Sequence, residues 1–363
     1  MRDSARYHIW LAEVLGPCSG KLNRVLERFG APEEAFLRRE TAEMASLLAP
    51  GEFKKARALK LSDIDGIIAY CEKTETQVVC FGDEEFPRRL RETTIPPAVL
   101  YVNGDVGALS GICIAGVGSR TPTRYGREAA RFLSMPLAAL GVTMVSGLAA
   151  GIDTEVHKAA LEAGGKTIAV LGTGIDVTYP KHHADMRLAI EQNGAVVSEY
   201  PPFKKNAPYL FSFRNRIISG LSRAVIIFEA ARRSGTMITA GWALDDGREV
   251  FAVPGSILSD RSEGTNRLLK QGAIPALSAE DVLEALGLER LSEADRQPEA
   301  EKNRPALKGL GKTVFDILFD GEKGLDDLVE QTKRPSAEVL SELMLLELDG
   351  MVKSLPGQRY QLA

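Results

Sequence analysis

The sequence predicts an α/β protein: an extended Rossmann-like, doubly wound and mainly parallel sheet, preceded by a small helical domain and followed by a winged-helix domain. Three observations predict this. Between about Val78 and Leu286, continuous apolar runs alternate with helical runs. Before them, apolar residues recur every three or four positions between Gly and Pro breaks, and after a polar stretch three helical patterns precede a hairpin. The expected divisions are 1–70, 71–289, a linker over 290–307, and 308–363.

The first region reads as short helices: "RYHIWLAEVLG", "SGKLNRVLERFG", "APEEAFLRR", "TAEMASLLA" and "EFKKARALK", with Ser19 and Thr41 at N-cap positions. Such a bundle, of the SAM or helix-hairpin-helix kind, serves as a packing module or touches a nucleic-acid backbone through helix N-termini. The middle region has buried-type strands in "GICIAGVG", "VTMVSG", "TIAVLG", "AVVSEY", "AVIIFEA" and "EVFAVPG". Strands that are apolar throughout and alternate with helices belong to a parallel sheet covered on both faces.

"RLSEADRQPEAEKNRPALKG" has few apolar residues and two prolines, which suits a linker. Beyond it, "KTVFDILFDG", "GLDDLVEQTK" and "PSAEVLSELMLLELDG" read as helices and "MVKSLPGQRYQL" as a hairpin turning at Pro-Gly. The third helix carries Glu338, Glu342 and Glu347 and no basic residue. A helix that reads a DNA groove presents Arg, Lys, Asn or Gln, so protein contact is expected here.

Composition narrows the function classes. With 363 residues, 44% hydrophobic and 26% charged, the chain has the makeup of a globular protein of several domains. Cys18, Cys71, Cys80 and Cys113 form no C-x-x-C pair, which argues against a disulfide framework or zinc site and for a reducing, cytoplasmic setting. No stretch is apolar enough for a membrane span, and the N-terminal residues lack a signal-peptide pattern. The net charge of −4 conceals an asymmetry: Tyr200 to Gly235 holds seven basic residues against Glu229 alone, so this window carries +6 and the remainder −10. Clustered charge, rather than the total, sets a local binding field.

Glycine-rich corners follow the strands. "GVGSRTPTRYG" begins like the dinucleotide fingerprint, but Thr121 stands at the third glycine and the next strand ends without an acid for a ribose, so no nucleotide cofactor is expected. Gly118, Ser119 and Arg120 instead suit a phosphate, because glycine lets it approach backbone N–H groups and Arg120 adds a forked cation. Pro122 suits the first turn of the helix that follows.

"SGLAAGIDTEVHKAAL" supplies a second corner at Gly147. Its Asp153 and His157 share a helix face, but without a third partner they read as a cap and a packed residue rather than a catalytic pair. "LGTGIDVTYPKHH" puts Lys181 at the same rim, with His182 and His183 expected in solvent. "ARRSGTMITA" makes a fourth corner through Arg233, Ser234, Gly235 and Thr236, while "FSFRNR" sets aromatics beside Arg214, Asn215 and Arg216. Of Phe211 and Phe213, one is expected in the core. Several separated phosphate-sized sites beside aromatic rings suit a run of nucleotides, since each phosphate needs its own donor and exposed bases stack. The expected ligand is single-stranded nucleic acid, with no metal and no catalytic residue.

"GVGSR", "SGLAAGIDTEVHKAAL", "AVLGTGIDVTYP", "SEYPP", "FSFRNRIISGLSRAVIIFEAARRSGTMITA", "GREVFAVPGSI" and "GTNRLLKQGA" occur in this order over about half the chain. Together they resemble the DNA-processing protein A family (DprA, also called Smf). The resemblance implies a protein that is not an enzyme. Family members bind single-stranded DNA in a basic pocket, dimerise through the Rossmann-like domain, and load the RecA recombinase in natural transformation. It also implies that Arg120 contacts DNA, that Phe211 stacks on a base, and that Arg214, Asn215, Arg216 and Lys181 occupy the family's binding positions. The sequence departs from the family at Pro208, where members often carry a DNA-contacting lysine; Lys204 or Lys205 stands nearby. The competing class is a nucleotide phosphoribohydrolase of the lysine-decarboxylase-like group, whose glycine-threonine corner precedes a catalytic glutamate. Here "RRSGTMIT" has no such glutamate.

Overall fold

A computed structural model describes residues 4–205, 207–288, 291, 309–318, 323–348, 351–355, 357 and 359–362. They fall into two compact units, 1–292 and 293–363. The linker expected over 290–307 lies, apart from Leu291, outside the described residues.

In the first unit, helices α1 (Ala5–Leu15), α2 (Leu22–Phe29), α3 (Pro32–Leu37), α4 (Ala42–Leu47), α5 (Pro50–Ala58) and α6 (Asp65–Lys73) precede the sheet. Thr41 caps α4 by accepting the Met44 N–H. Ser19 does not cap α2, which starts after Lys21; its hydroxyl donates to Glu52 instead. The apolar faces of these helices, with Trp10 wholly buried, share one core with Val99, Tyr101, Ala169, Leu171 and Val196 of the sheet. The helical segment is thereby packed on the sheet rather than tethered to it.

The sheet elements run β1 (Gln77–Cys80), α7 (Arg88–Arg91), β2 (Val99–Gly104), β3 (Cys113–Val117), α8 (Arg124–Ala139), β4 (Thr143–Ser146), α9 (Ile152–Glu162), β5 (Thr167–Leu171), α10 (Ala184–Gln192), β6 (Gly194–Ser198), α11 (Pro208–Leu221), β7 (Ala224–Ile227), α12 (Gly235–Asp245), β8 (Glu249–Ala252), α13 (Glu263–Lys270), β9 (Ile274–Pro275) and α14 (Ala279–Ala285). Among the described residues, nine strands form one sheet in the order β1-β2-β6-β5-β4-β3-β7-β8-β9. From β6 to β9 every pairing is parallel, whereas β2 joins β6, and β1 joins β2, antiparallel. Alternate strand residues feed two further cores besides the one shared with the N-terminal helices. Val117, Val145, Val170 and Ile227 pack with α11 and α12 on one face, and Ile114, Met144, Ile226 and Phe251 with α8, α9 and α14 on the other.

This order positions the site. From β3 the chain winds outward through β4, β5 and β6, then returns to place β7 on the other side of β3. The carboxyl ends of β3 and β7 flank the reversal, which is where open α/β sheets leave a crevice. Gly116 and Gly118 serve close packing: a Cβ on them would come within 2.8 Å of Val156 and 2.6 Å of Ile152, so glycine lets α9 lie against the β3 corner.

In the second unit, helices Gly309–Leu318, Leu325–Thr332 and Ser336–Leu348 pack around Val314, Leu328, Val339 and Leu343. Strand β10 (Lys323–Gly324) pairs with β12 (Arg359–Leu362), which pairs with β11 (Val352–Leu355), completing a winged helix. Among the described residues, no helix is long and apolar enough to cross a membrane.

Candidate nucleic-acid interface

At the β3/β7 reversal lies a cavity of about 390 Å³. Gly118, Ser119 and Arg120 line it from the β3 corner, Phe211, Arg214 and Asn215 from α11, and Ser234, Gly235 and Thr236 from the start of α12. Nine sequence-predicted residues thus meet in one place.

Arg120 is exposed, and no hydrogen bond to its side chain is found among the described residues. Its guanidinium carbon stands 5.9 Å from the centre of the Phe211 ring, within cation–π range. The ring itself is half-buried. It lies against Gly172, where a Cβ would approach to 2.6 Å, and 5.3 Å from the ring of Tyr179. Phe213 is also half-buried, against Tyr209, so neither phenylalanine is the core residue expected. An exposed cation beside an aromatic face is the pairing that a phosphate and its base require.

Opposite this corner, α12 starts at Gly235 with Ser234 as N-cap. Its first N–H groups carry the positive end of the helix dipole. Ser234 makes no capping bond, and its buried Oγ has no hydrogen-bond partner. Asn215 ties α11 to this start through Gly235 O at 3.4 Å. Arg233 is exposed beside the cavity without lining it.

Arg214 is fully buried. Its Nη1 donates to Gly147 O at 2.8 Å and to Val170 O, bridging the ends of β4 and β5. Gly147 leaves room for it, since a Cβ there would lie 2.5 Å from the guanidinium. Burial pulls Arg214 down to about 10, opposed by the nearby Asp153 charge. Burial likewise pushes the Asp153 carboxyl up, against the pull of Arg214 and of backbone N–H groups.

R-N-R sits within a helix, where residues two apart point about 200° away from each other. Arg216 therefore faces away from the cavity. It pairs with Glu199 and donates to Ile95 O (2.9 Å) and Cys18 Sγ (3.1 Å), fastening α11 to the N-terminal segment. The three predicted lysines also lie outside the cavity lining. Lys181 is exposed after Tyr179, Lys205 is exposed, and Lys204 lines a separate small crevice with Cys18 and Pro201.

Asp153 and His157 are both occupied by the backbone. The Asp153 carboxylate accepts N–H bonds from Gly147 (3.1 Å) and Ala149 (3.3 Å), rather than capping α9. His157 Nε2 accepts from Leu148 N, and Nδ1 meets Thr167 Oγ1 at 2.8 Å. Thr167 donates to Met144 O, so Nδ1 carries the proton and the ring is neutral. Burial brings its pKa down to about 3. Together they hold Leu148 at a φ of 55°, a left-handed conformation that costs a branched residue energy. His183, expected in solvent, is buried and bonded to Leu148 O at 2.9 Å, while His182 is exposed.

Three residues escape a reading of the sequence. Glu229 is buried after β7 and accepts from Thr123 N and Oγ1, which fixes the start of α8 at Arg124, two residues beyond Pro122. Tyr179 packs on Phe211. Arg261 lines the cavity although it lies 142 residues from Ser119 in the chain, and no local pattern marks it. Tyr179 alone carries a signal, as an aromatic two residues from Lys181.

Comparison with known proteins identifies the family. Residues 77–287 match the family model described as DNA recombination-mediator protein A, and 298–358 match the DprA winged helix domain. Protein Smf of Escherichia coli K12 is 40% identical over 300 residues, covering 81% of this chain and 79% of that protein. The X-ray structure of DNA processing protein A from Streptococcus pneumoniae superposes with a TM-score of 0.67 at 35% identity, covering 77% of this chain and 97% of that one. The structure of DNA processing protein A from Helicobacter pylori, a protein with a unique single-stranded DNA binding mode, gives 0.53 at 31% identity over 59% of this chain and 97% of that one. The chain belongs to the DNA recombination-mediator protein A family.

Proposed function

We propose that the protein binds single-stranded DNA without sequence preference, shields it, and delivers it to the RecA recombinase in recombination and natural transformation. The observation that carries this reading is the pairing of Arg120 with the Phe211 ring opposite the free start of α12. The pair and the helix start line one cavity, so in this reading a phosphate is held by the cation and the helix N-terminus while its base lies on the ring. The Helicobacter relative binds single-stranded DNA, which points the same way. Free cysteines throughout suit a reducing, cytoplasmic setting.

The protein acts as a binding module rather than an enzyme. The glutamate that follows the glycine-threonine corner in a phosphoribohydrolase has no counterpart in "RRSGTMIT", and Glu229, which precedes the corner, braces Thr123. Exposed Leu244 on α12 and Leu277 after β9 support a homodimer surface on the β8/β9 side of the sheet. On the winged helix, exposed Leu340, Met344 and Leu345 favour a protein partner over DNA. Fluorescence anisotropy tests the central claim: a labelled oligo(dT) binds and weakens as salt rises, while the matching duplex binds far less well. Equal binding to the duplex, or release of free base from nucleoside monophosphates, would overturn it.

A further inference from the structure

Arg261 belongs to the segment between β8 and α13, yet its guanidinium reaches the β3 corner. One nitrogen, Nη1, donates to Ser119 Oγ at 3.0 Å, to Thr121 Oγ1 at 2.8 Å and to the Thr121 carbonyl. Every hydrogen bond found for this side chain among the described residues uses Nη1, which leaves Nε and Nη2 as donors on a half-buried group that lines the cavity. A planar fork with one edge fixed and the other open is pre-organised for phosphate oxygens.

Charge in the cavity supports the same assignment. Its lining holds Arg120, Arg214, Arg261 and one acid, Asp153. Arg214 and Asp153 act on each other, which leaves Arg120 and Arg261 unopposed. One phosphodiester carries a single negative charge, so it balances only one of these two.

We propose that Arg261 binds a second phosphate of the strand held at Arg120, while its other edge braces the Ser119–Thr121 corner. This rests on the single-strand reading above. A variant set separates the two roles. Arg261→Gln keeps an amide donor for Ser119 and Thr121 but removes the charge; with full-length protein and labelled oligo(dT) it should bind about tenfold to a hundredfold more weakly. The slope of log affinity against log salt should flatten by about 0.7, the value of one phosphate on a single strand. Arg261→Lys should weaken binding through loss of the fork yet keep the slope, and it serves equally if the glutamine variant does not fold. Unchanged affinity, or weaker binding with an unchanged slope in Arg261→Gln, overturns the phosphate contact, as does a flattened slope in Arg261→Lys. A wild-type protein that binds no strand at all removes the reading beneath the proposal; strand binding that Arg261→Gln leaves intact removes the proposal alone.

Discussion

The corner after β3 and the corner after β4 are built alike and end differently. Each follows a buried parallel strand, contains glycines and leads into a helix. After β4, the N–H groups of Gly147, Leu148 and Ala149 are taken by Asp153 and His157, and the Gly147 carbonyl is taken by Arg214. After β3, the exposed Arg120 side chain faces the cavity, with the uncapped start of α12 opposite. Glycine spacing describes both corners equally. The difference lies in the cation: Arg214 is spent on backbone carbonyls, whereas the Arg120 side chain has no hydrogen bond among the described residues.

The largest expected effect breaks the β4 corner. Arg214→Met removes a buried cation that holds two carbonyls and offsets the Asp153 charge, leaving a buried carboxylate without its counter-charge and two carbonyls without this donor. Urea unfolding should show a loss of about 3–5 kcal/mol. A loss under about 1 kcal/mol would place Arg214 with Arg120 as a ligand residue instead of a staple.

Arg120→Ala is the counterpart at the β3 corner, and it should reverse the pattern. Stability should stay within about 0.5 kcal/mol, as for an exposed side chain with no hydrogen bond among the described residues. Strand affinity should fall by about 1.5–3 kcal/mol, the worth of a hydrogen bond to a charged group. Stability loss with unchanged affinity would exchange the roles of the two corners.

Acid should loosen the β4 corner first. His157 titrates near 6.5 when unfolded and at about 3 in the folded chain, because burial disfavours its charged form. Between these values the unfolded chain binds the extra proton, so stability is full above 6.5 and is lost as pH falls. The expected slope is up to about 1.4 kcal/mol per pH unit. Measured between pH 7 and 5.5, His157→Gln should flatten it; an unchanged slope would assign the acid sensitivity elsewhere, His8 being the other histidine whose pKa burial lowers.

The contrast also shows what a linear sequence can carry. Strands β3 to β8 are legible because burial on both faces leaves unbroken apolar runs. Strand β2 also carries a buried apolar run, but the antiparallel pairing of β1 and β2 follows from the edge they extend rather than from any local pattern. Arg120 and Phe211 are legible as a charge and a ring near glycine corners. Arg216 is misplaced by its sequence surroundings, which read as a rim, whereas in α11 a shift of two residues turns a side chain to the opposite face. Arg261 is out of reach, because its contacts with Ser119 and Thr121 exist only once β3, β7 and β8 lie side by side.

The smallest expected effect sharpens the comparison most. Serine at an N-cap usually stabilises its helix by about 1 kcal/mol, because its oxygen accepts an N–H from the first turn. Ser234 occupies that position on α12 and makes no such bond, although its Oγ is buried. Ser234→Ala should therefore change stability by less than about 0.5 kcal/mol, since it removes an unsatisfied hydroxyl rather than a hydrogen bond. If that hydroxyl serves the strand, affinity should fall by about 1 kcal/mol, roughly fivefold, in the same variant. Paired unfolding and anisotropy measurements decide between the two uses of one oxygen: a stability loss near 1 kcal/mol with full affinity would make the α12 corner structural, like the one after β4.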